Sequence, residues 1–144
     1  MNSKQQCRLK LAARNVRTLL APGHPERRSA ILACELARYD IDIAALSETR
    51  ISAANQFEEV GAGYTFFTIE QAEGKPRQAG VGFAIKSALV SRLQEHPKGV
   101  NPHLMYVKLE LAHGQTAVLI SAYTPTMDTA DEVKEEFYNT LNDV

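Results

Sequence analysis

Three residues at the ends of apolar runs carry the chemistry this chain can offer: Asn15, Glu48 and Tyr123. Glu48 follows Asp42-Ile43-Ala44-Ala45-Leu46-Ser47 and precedes Thr49-Arg50, so one carboxylate stands at the tip of a short buried strand. That placement suits Mg²⁺, which takes one or two protein carboxylates, keeps several waters and binds substrate phosphate directly. Asn15 follows the alternating run Cys7-Arg8-Leu9-Lys10-Leu11-Ala12-Ala13 and offers an amide oxygen, as a direct ligand or as support to one. Tyr123 closes the strand pattern of residues 117–122, where its hydroxyl can donate to a phosphate oxygen. Taken singly, each residue has a plainer role. Glu48 can pair with Arg50 in solvent. Asn15 can serve a turn, and Tyr123 can be a packed aromatic with a wet tip.

The elements that must position these residues are legible as patterns. Residues 7–13 alternate as a half-buried strand. Ala21-Pro22-Gly23-His24-Pro25 is a turn, with Pro25 suited to the first helical position. Over 26–39 a helix is predicted, with Arg27, Arg28, Glu35 and Arg38 on one face and Leu32, Ala33, Leu36 and Ala37 on the other; Ile31 falls amid the polar stripe. Residues 40–46 read as a strand buried on both faces and parallel to the first through a β-α-β crossover. The carboxyl ends of the two strands, with Asn15 and Glu48, then lie side by side, where open sheets bind ligands.

Beyond this unit, strands are expected at 64–69, 80–85, 103–111 and 115–123, with a hairpin at His113-Gly114. Residues 72–77 and 97–102 read as loops, 86–93 as a short helix, and Thr129-Ala130-Asp131-Glu132 as a capping box opening an acidic helix to Asn142. The expected class is α+β with helices outside layered sheet. Gly80-Val81-Gly82 is too short for a phosphate loop and instead permits close backbone approach within a sheet.

Composition narrows the function classes. A chain of 144 residues fits one domain. At 44% hydrophobic and 23% charged it is an ordinary globular sequence, with no apolar run long enough to span a membrane. The polar, then alternating N-terminus is not a signal peptide, so the expected location is intracellular. Cys7 and Cys34 have no CxxC spacing and read as buried reduced thiols. Net charge is −1, but it is uneven: residues 1–50 hold nine Lys/Arg against five Asp/Glu, and 128–144 hold one Lys against six acids. The basic third can face phosphates or be a solvated surface. His24, His96, His103 and His113 lack zinc-ligand spacing and read as surface residues. GxSxG, P-loop and GxGxxG motifs are absent.

The segments Asn15-Val16-Arg17-Thr18-Leu19, Asp42 through Arg50, Gly80-Val81-Gly82-Phe83-Ala84-Ile85 and Ser121-Ala122-Tyr123-Thr124-Pro125-Thr126 together resemble the endonuclease/exonuclease/phosphatase superfamily. Within it they are most similar to the endonuclease portion of non-LTR retrotransposon polyproteins and to the craniofacial development protein 2 group. Glu35-Leu36-Ala37-Arg38-Tyr39-Asp40-Ile41-Asp42 and the run Asp131 to Tyr138 strengthen that subgroup. The resemblance implies a Mg²⁺-dependent DNA endonuclease, nuclear in location, on a four-layer α/β/β/α sandwich of the deoxyribonuclease I-like type. Glu48 and Asn15 would hold the metal, and Asn15 and Tyr123 would serve catalysis, Tyr123 at the phosphate. Arg14 stands where family members commonly have an aromatic, and Arg17 where some have a second acid.

The family's later Asp-x-Asn and Ser-Asp-His motifs do not occur in the sequence. The resemblance therefore implies one truncated domain over 1–144, a partial sandwich, weak or no Mg²⁺ binding and activity by descent only. It also implies self-association through an uncovered sheet face, with Leu9, Leu11, Ile43, Phe83, Ile85, Val107 and Leu119 at risk of exposure. A retrotransposon-derived protein- or chromatin-binding module is the alternative, and a phosphatase or phospholipid diesterase of the same fold is a third reading.

Overall fold

In the computed structural model, which describes residues 9–16, 28–47, 49, 55–68, 80–101, 103–111 and 114–123, the strand–helix–strand unit forms as its pattern requires. Strand β1 (Leu11–Asn15) and strand β2 (Ile43–Ser47) are parallel neighbours, in register from Leu11↔Ile43 to Asn15↔Ser47. Helix α1 (Arg28–Arg38) lays Leu32, Ala33 and Leu36 over Ala44, Leu46, Tyr64, Phe66 and Ala84, forming one apolar cluster. Arg14 pairs with Glu35 and so ties the edge strand to the helix. Ile31 is exposed, as its place in the polar stripe suggests.

Four expectations for this unit need correction. The first strand runs over Leu11–Asn15 and not 7–13, because the Lys10 N–H is taken by the Asp42 carboxylate instead of a ladder, and within it only Ala12 is half-buried. Ala37 is exposed, because the buried stripe of α1 runs through Ser29, Leu32, Ala33 and Leu36 and stops short of it. Cys34 is exposed rather than buried, since it falls on the solvent side of α1; Cys7 lies outside the described residues. Strand β2 starts at Ile43 and not at Asp40, because Asp40 takes a left-handed backbone (φ 54°) that ends the helix and cannot join a ladder.

The first sheet has the order β1-β2-β5-β4-β3, with β3 (Asn55–Glu59), β4 (Tyr64–Thr68) and β5 (Val81–Lys86) antiparallel to their neighbours. Strand β3 has no clear sequence signature, because Asn-Gln-Phe-Glu-Glu is mostly polar. It forms through contacts distant in sequence. Phe57 stacks on Phe66 at 5.1 Å, and the buried Glu59 carboxylate accepts a hydrogen bond from Ser29 Oγ at 2.6 Å. Gly63, at φ 77°, provides the left-handed corner of the β3–β4 turn.

A short helix, α2 (Ser87–Val90), leads to the second sheet, of order β6-β7-β8: β6 (Lys98–Asn101), β7 (Leu104–Glu110) and β8 (Thr116–Ala122). Residues 98–101 read as a loop between two prolines but pair with β7 as a short edge strand with a register shift. An edge tolerates such irregularity. The expected β7–β8 hairpin forms, with Gly114 at φ 72°.

The sheets meet face to face. Ile43, Phe67, Val81, Phe83 and Ile85 of the first pack with Met105, Val107 and Leu109 of the second. The chain is thus mixed α+β with two sheets and a helix outside the first. The predicted helix at 129–142 and loop at 72–77 lie outside the described residues. The uncovered apolar face is narrower than expected: Ile43, Phe83, Ile85 and Val107 are buried and Leu9 and Leu119 half-buried, leaving Leu11 at 52% exposure. No helix among the described residues is long and apolar enough to cross a membrane.

The close approach expected at Gly82 is present. A Cβ there would meet the Phe67 carbonyl oxygen at 2.6 Å, inside the β4–β5 ladder. Gly82→Ala should therefore cost about 1–3 kcal/mol. Gly61→Ala, with nothing within 4 Å of its Cβ, should be near neutral. Urea unfolding of both variants checks this.

Candidate functional site at the carboxyl ends of β1, β2 and β8

Asn15 is the last residue of β1 and the register partner of Ser47, the last of β2. Alternation puts Asn15 on the face of Leu11 and Ala13, which is the face of Ile43 and Ala45 and looks toward the second sheet. Beyond the strands, the Val16 N–H donates to the Ser47 carbonyl at 3.0 Å, and the N–H of buried Thr49 reaches the Gly80 carbonyl at 3.4 Å. Glu48 itself lies outside the described residues; its neighbours Ser47 and Thr49 are both anchored.

Tyr123 follows β8, and one hydrogen bond sets which end of the molecule that is. Ser121 Oγ is buried and donates to the Leu46 carbonyl at 3.1 Å, so β8 and β2 finish at the same end. The Tyr123 N–H donates to the His103 carbonyl at 3.0 Å. Its ring stacks on the His103 imidazole, with centroids 6.3 Å apart and planes 16° from parallel, and packs against the apolar layer between the sheets. The structure thus brings the positions of Asn15 and Tyr123 to one end and to one side of the first sheet.

His103 joins this region although its sequence context reads as that of a surface histidine. It is half-buried, and burial holds its pKa below the ordinary imidazole value. The signal was available: counting outward from the hairpin turn sets His103 opposite Tyr123. His96 is exposed, edge-on to Phe67 at 5.4 Å, while His24 and His113 lie outside the described residues.

The other acidic cluster does different work. Asp40 and Asp42 sit at the amino end of β2, both paired with Lys86, the Asp42 contact at 3.2 Å. Lys86 holds the Asp40 carboxyl below its ordinary pKa, and the Asp40 hydrogen bond raises that of Lys86. The two carboxylates share one ammonium and brace the start of β2 against β5. Asn15, the last residue of β1, lies at the opposite end of the sheet. No protein-family model matches the chain, and no curated protein matches its sequence significantly.

The His103 pKa sets a pH dependence. A base whose folded pKa is depressed binds fewer protons folded than unfolded, so its contribution is present above the unfolded value and is lost as pH falls through the folded one. Thermal melts should show the native chain losing more stability than His103→Gln as pH is lowered below about 6.5.

Proposed function

We propose that this chain carries the metal- and phosphate-contacting part of a Mg²⁺-dependent phosphodiesterase site, of DNA endonuclease descent, on a partial deoxyribonuclease I-like sandwich. The observation that carries this reading is the convergence at one end: Asn15 register-paired to the residue before Glu48, and β8 brought alongside by the Ser121–Leu46 hydrogen bond so that Tyr123 ends there too. In support, the β1–β2 pair is parallel with its ligand-bearing ends together, the usual place for a ligand in such a sheet.

In this reading the Glu48 carboxylate and Asn15 amide oxygen hold the cation, and the Tyr123 hydroxyl donates to a non-bridging phosphate oxygen. Stacking on His103 limits the swing of the Tyr123 ring. Mg²⁺, when bound, supplies charge neutralisation on the phosphate oxygens and leaving group. One carboxylate and one amide offset little of its charge, so affinity is low. The sequence contains no Asp-x-Asn and no Ser-Asp-His, so these residues do not supply the proton-transfer and water-orienting groups. Such groups are worth about 10²–10⁴-fold in rate. The second reading is a non-catalytic module that binds protein or chromatin.

The test is a pair of measurements on the 144-residue chain. Calorimetric titration should show weak Mg²⁺ binding that Glu48→Gln removes; tight binding indifferent to that change would contradict the site. Supercoiled plasmid should not be nicked above background. Metal-dependent nicking abolished by Glu48→Ala would instead establish a complete enzyme and eliminate the non-catalytic reading.

A further inference from the structure

On the phosphodiesterase reading above, which gives Tyr123 its role, we propose that His103 is a second phosphate-contacting residue. Its imidazole Nε2–H donates to the same phosphodiester group as the Tyr123 hydroxyl, and the two rings form one two-donor seat for a backbone phosphate of nucleic acid.

The relation of the two rings is fixed by the hairpin. His103 immediately precedes β7 and Tyr123 immediately follows β8, so they face each other across its open end. The Tyr123 N–H donates to the His103 carbonyl at 3.0 Å, one step beyond the Leu104↔Ala122 pair. The rings lie 16° from parallel with centroids 6.3 Å apart, within the range of aromatic stacking. Donors on rings at that spacing can reach two oxygens of one phosphate, because each hydrogen bond itself spans about 2.8 Å.

Burial selects the nitrogen. His103 is half-buried and its Nδ1 is buried, so a ligand meets this imidazole only through Nε2. Nε2–H is a donor in the neutral ring and in the cation alike. Burial also holds the pKa below the ordinary imidazole value, so the neutral ring prevails at neutral pH. His103 thus offers the phosphate a hydrogen bond without a standing charge.

The seat stands at the end of the molecule that holds Asn15. Ser121, two residues before Tyr123, is pinned to the Leu46 carbonyl at 3.1 Å, and the next residue of β2, Ser47, is the register partner of Asn15. Leu104 and Met105, directly after His103, are buried, so the imidazole is carried by the packed start of β7. Packing against Tyr123 asks only for a ring, whereas phosphate contact asks for a nitrogen. The two roles are therefore separable by substitution.

The test uses the 144-residue chain and a short fluorescein-labelled DNA duplex with Mg²⁺ at low ionic strength, read by anisotropy. His103→Phe keeps an aromatic ring against Tyr123 and removes the donor. It should weaken binding about tenfold, as loss of one hydrogen bond to a charged group does, without lowering the melting temperature. His103→Gln, whose amide N–H reaches the place of Nε2, should restore most of the affinity. Tyr123→Phe should weaken binding to a similar extent. In the native chain, nitrogen NMR should show His103 as the Nε2–H tautomer. Its Nε2 signal should shift as duplex is added, and not with inorganic phosphate at the same phosphate concentration. Weakening by Tyr123→Phe but none by His103→Phe would overturn the assignment of His103 and leave the role of Tyr123 standing. No weakening by Tyr123→Phe would remove the role of Tyr123, and that of His103 with it. An Nε2 signal indifferent to duplex would make His103 a packing residue only. An equal response to inorganic phosphate would give the seat to a free anion instead of a nucleic-acid backbone.

Discussion

Asp42 holds three strands in register, and the rest of the structure depends on that register. Its N–H donates to the Lys10 carbonyl at 2.8 Å while its carboxylate accepts the Lys10 N–H at 2.7 Å. Its carbonyl accepts the Lys86 N–H at 3.0 Å, and its carboxylate lies 3.2 Å from Lys86 Nζ. The start of β2 is thereby clamped between β1 and β5. A slip of one residue would carry Ile43 to the helix side and Ala44 and Leu46 to the side of the second sheet. Both faces of β2 are packed, so both cores would be lost together.

That register partitions the molecule. Even-numbered residues of β2 serve the layer under α1, and odd-numbered ones serve the layer between the sheets. It also separates the two ends. The amino end of β2 holds the Lys86 cluster, with the Tyr64 hydroxyl donating to the Ile41 carbonyl beside it. Asn15, Tyr123 and His103 lie at the other, carboxyl end.

The second sheet adds two features that the first does not dictate. Through Ser121 it sets which end of β8 meets β2, and so where Tyr123 finishes. Among the described residues it sets three strands over five, with no strand above the inner side of β1. Leu11 is exposed because no described strand of the second sheet lies above it, and Val118 and Ile120 because they alternate with the inward-facing Ala117, Leu119 and Ser121 and so lie on the outer face of β8.

Much of this was legible in the residues. Alternation at 7–13, the amphipathic helix and the run at 40–46 point to the parallel β1–α1–β2 unit, because each is a local pattern, though the strands themselves run over Leu11–Asn15 and Ile43–Ser47. The hairpin at Gly114 and the tight approach at Gly82 were legible for the same reason, glycine being required by backbone geometry alone. Strands β3 and β6 were not. Their polar or proline-flanked sequences become strands only because a neighbour offers a ladder and, for β3, Phe66 and Ser29 offer partners. The exposure of Cys34 and the burial of His103 were likewise decided by which helix face and which hairpin position met the sheet. Sequence identified Asn15 and Tyr123 as strand-end residues able to bind metal or phosphate. That the two finish at the same end was decided only by tertiary structure, since it depends on the hydrogen bond between Ser121 and Leu46, 75 residues apart in the chain.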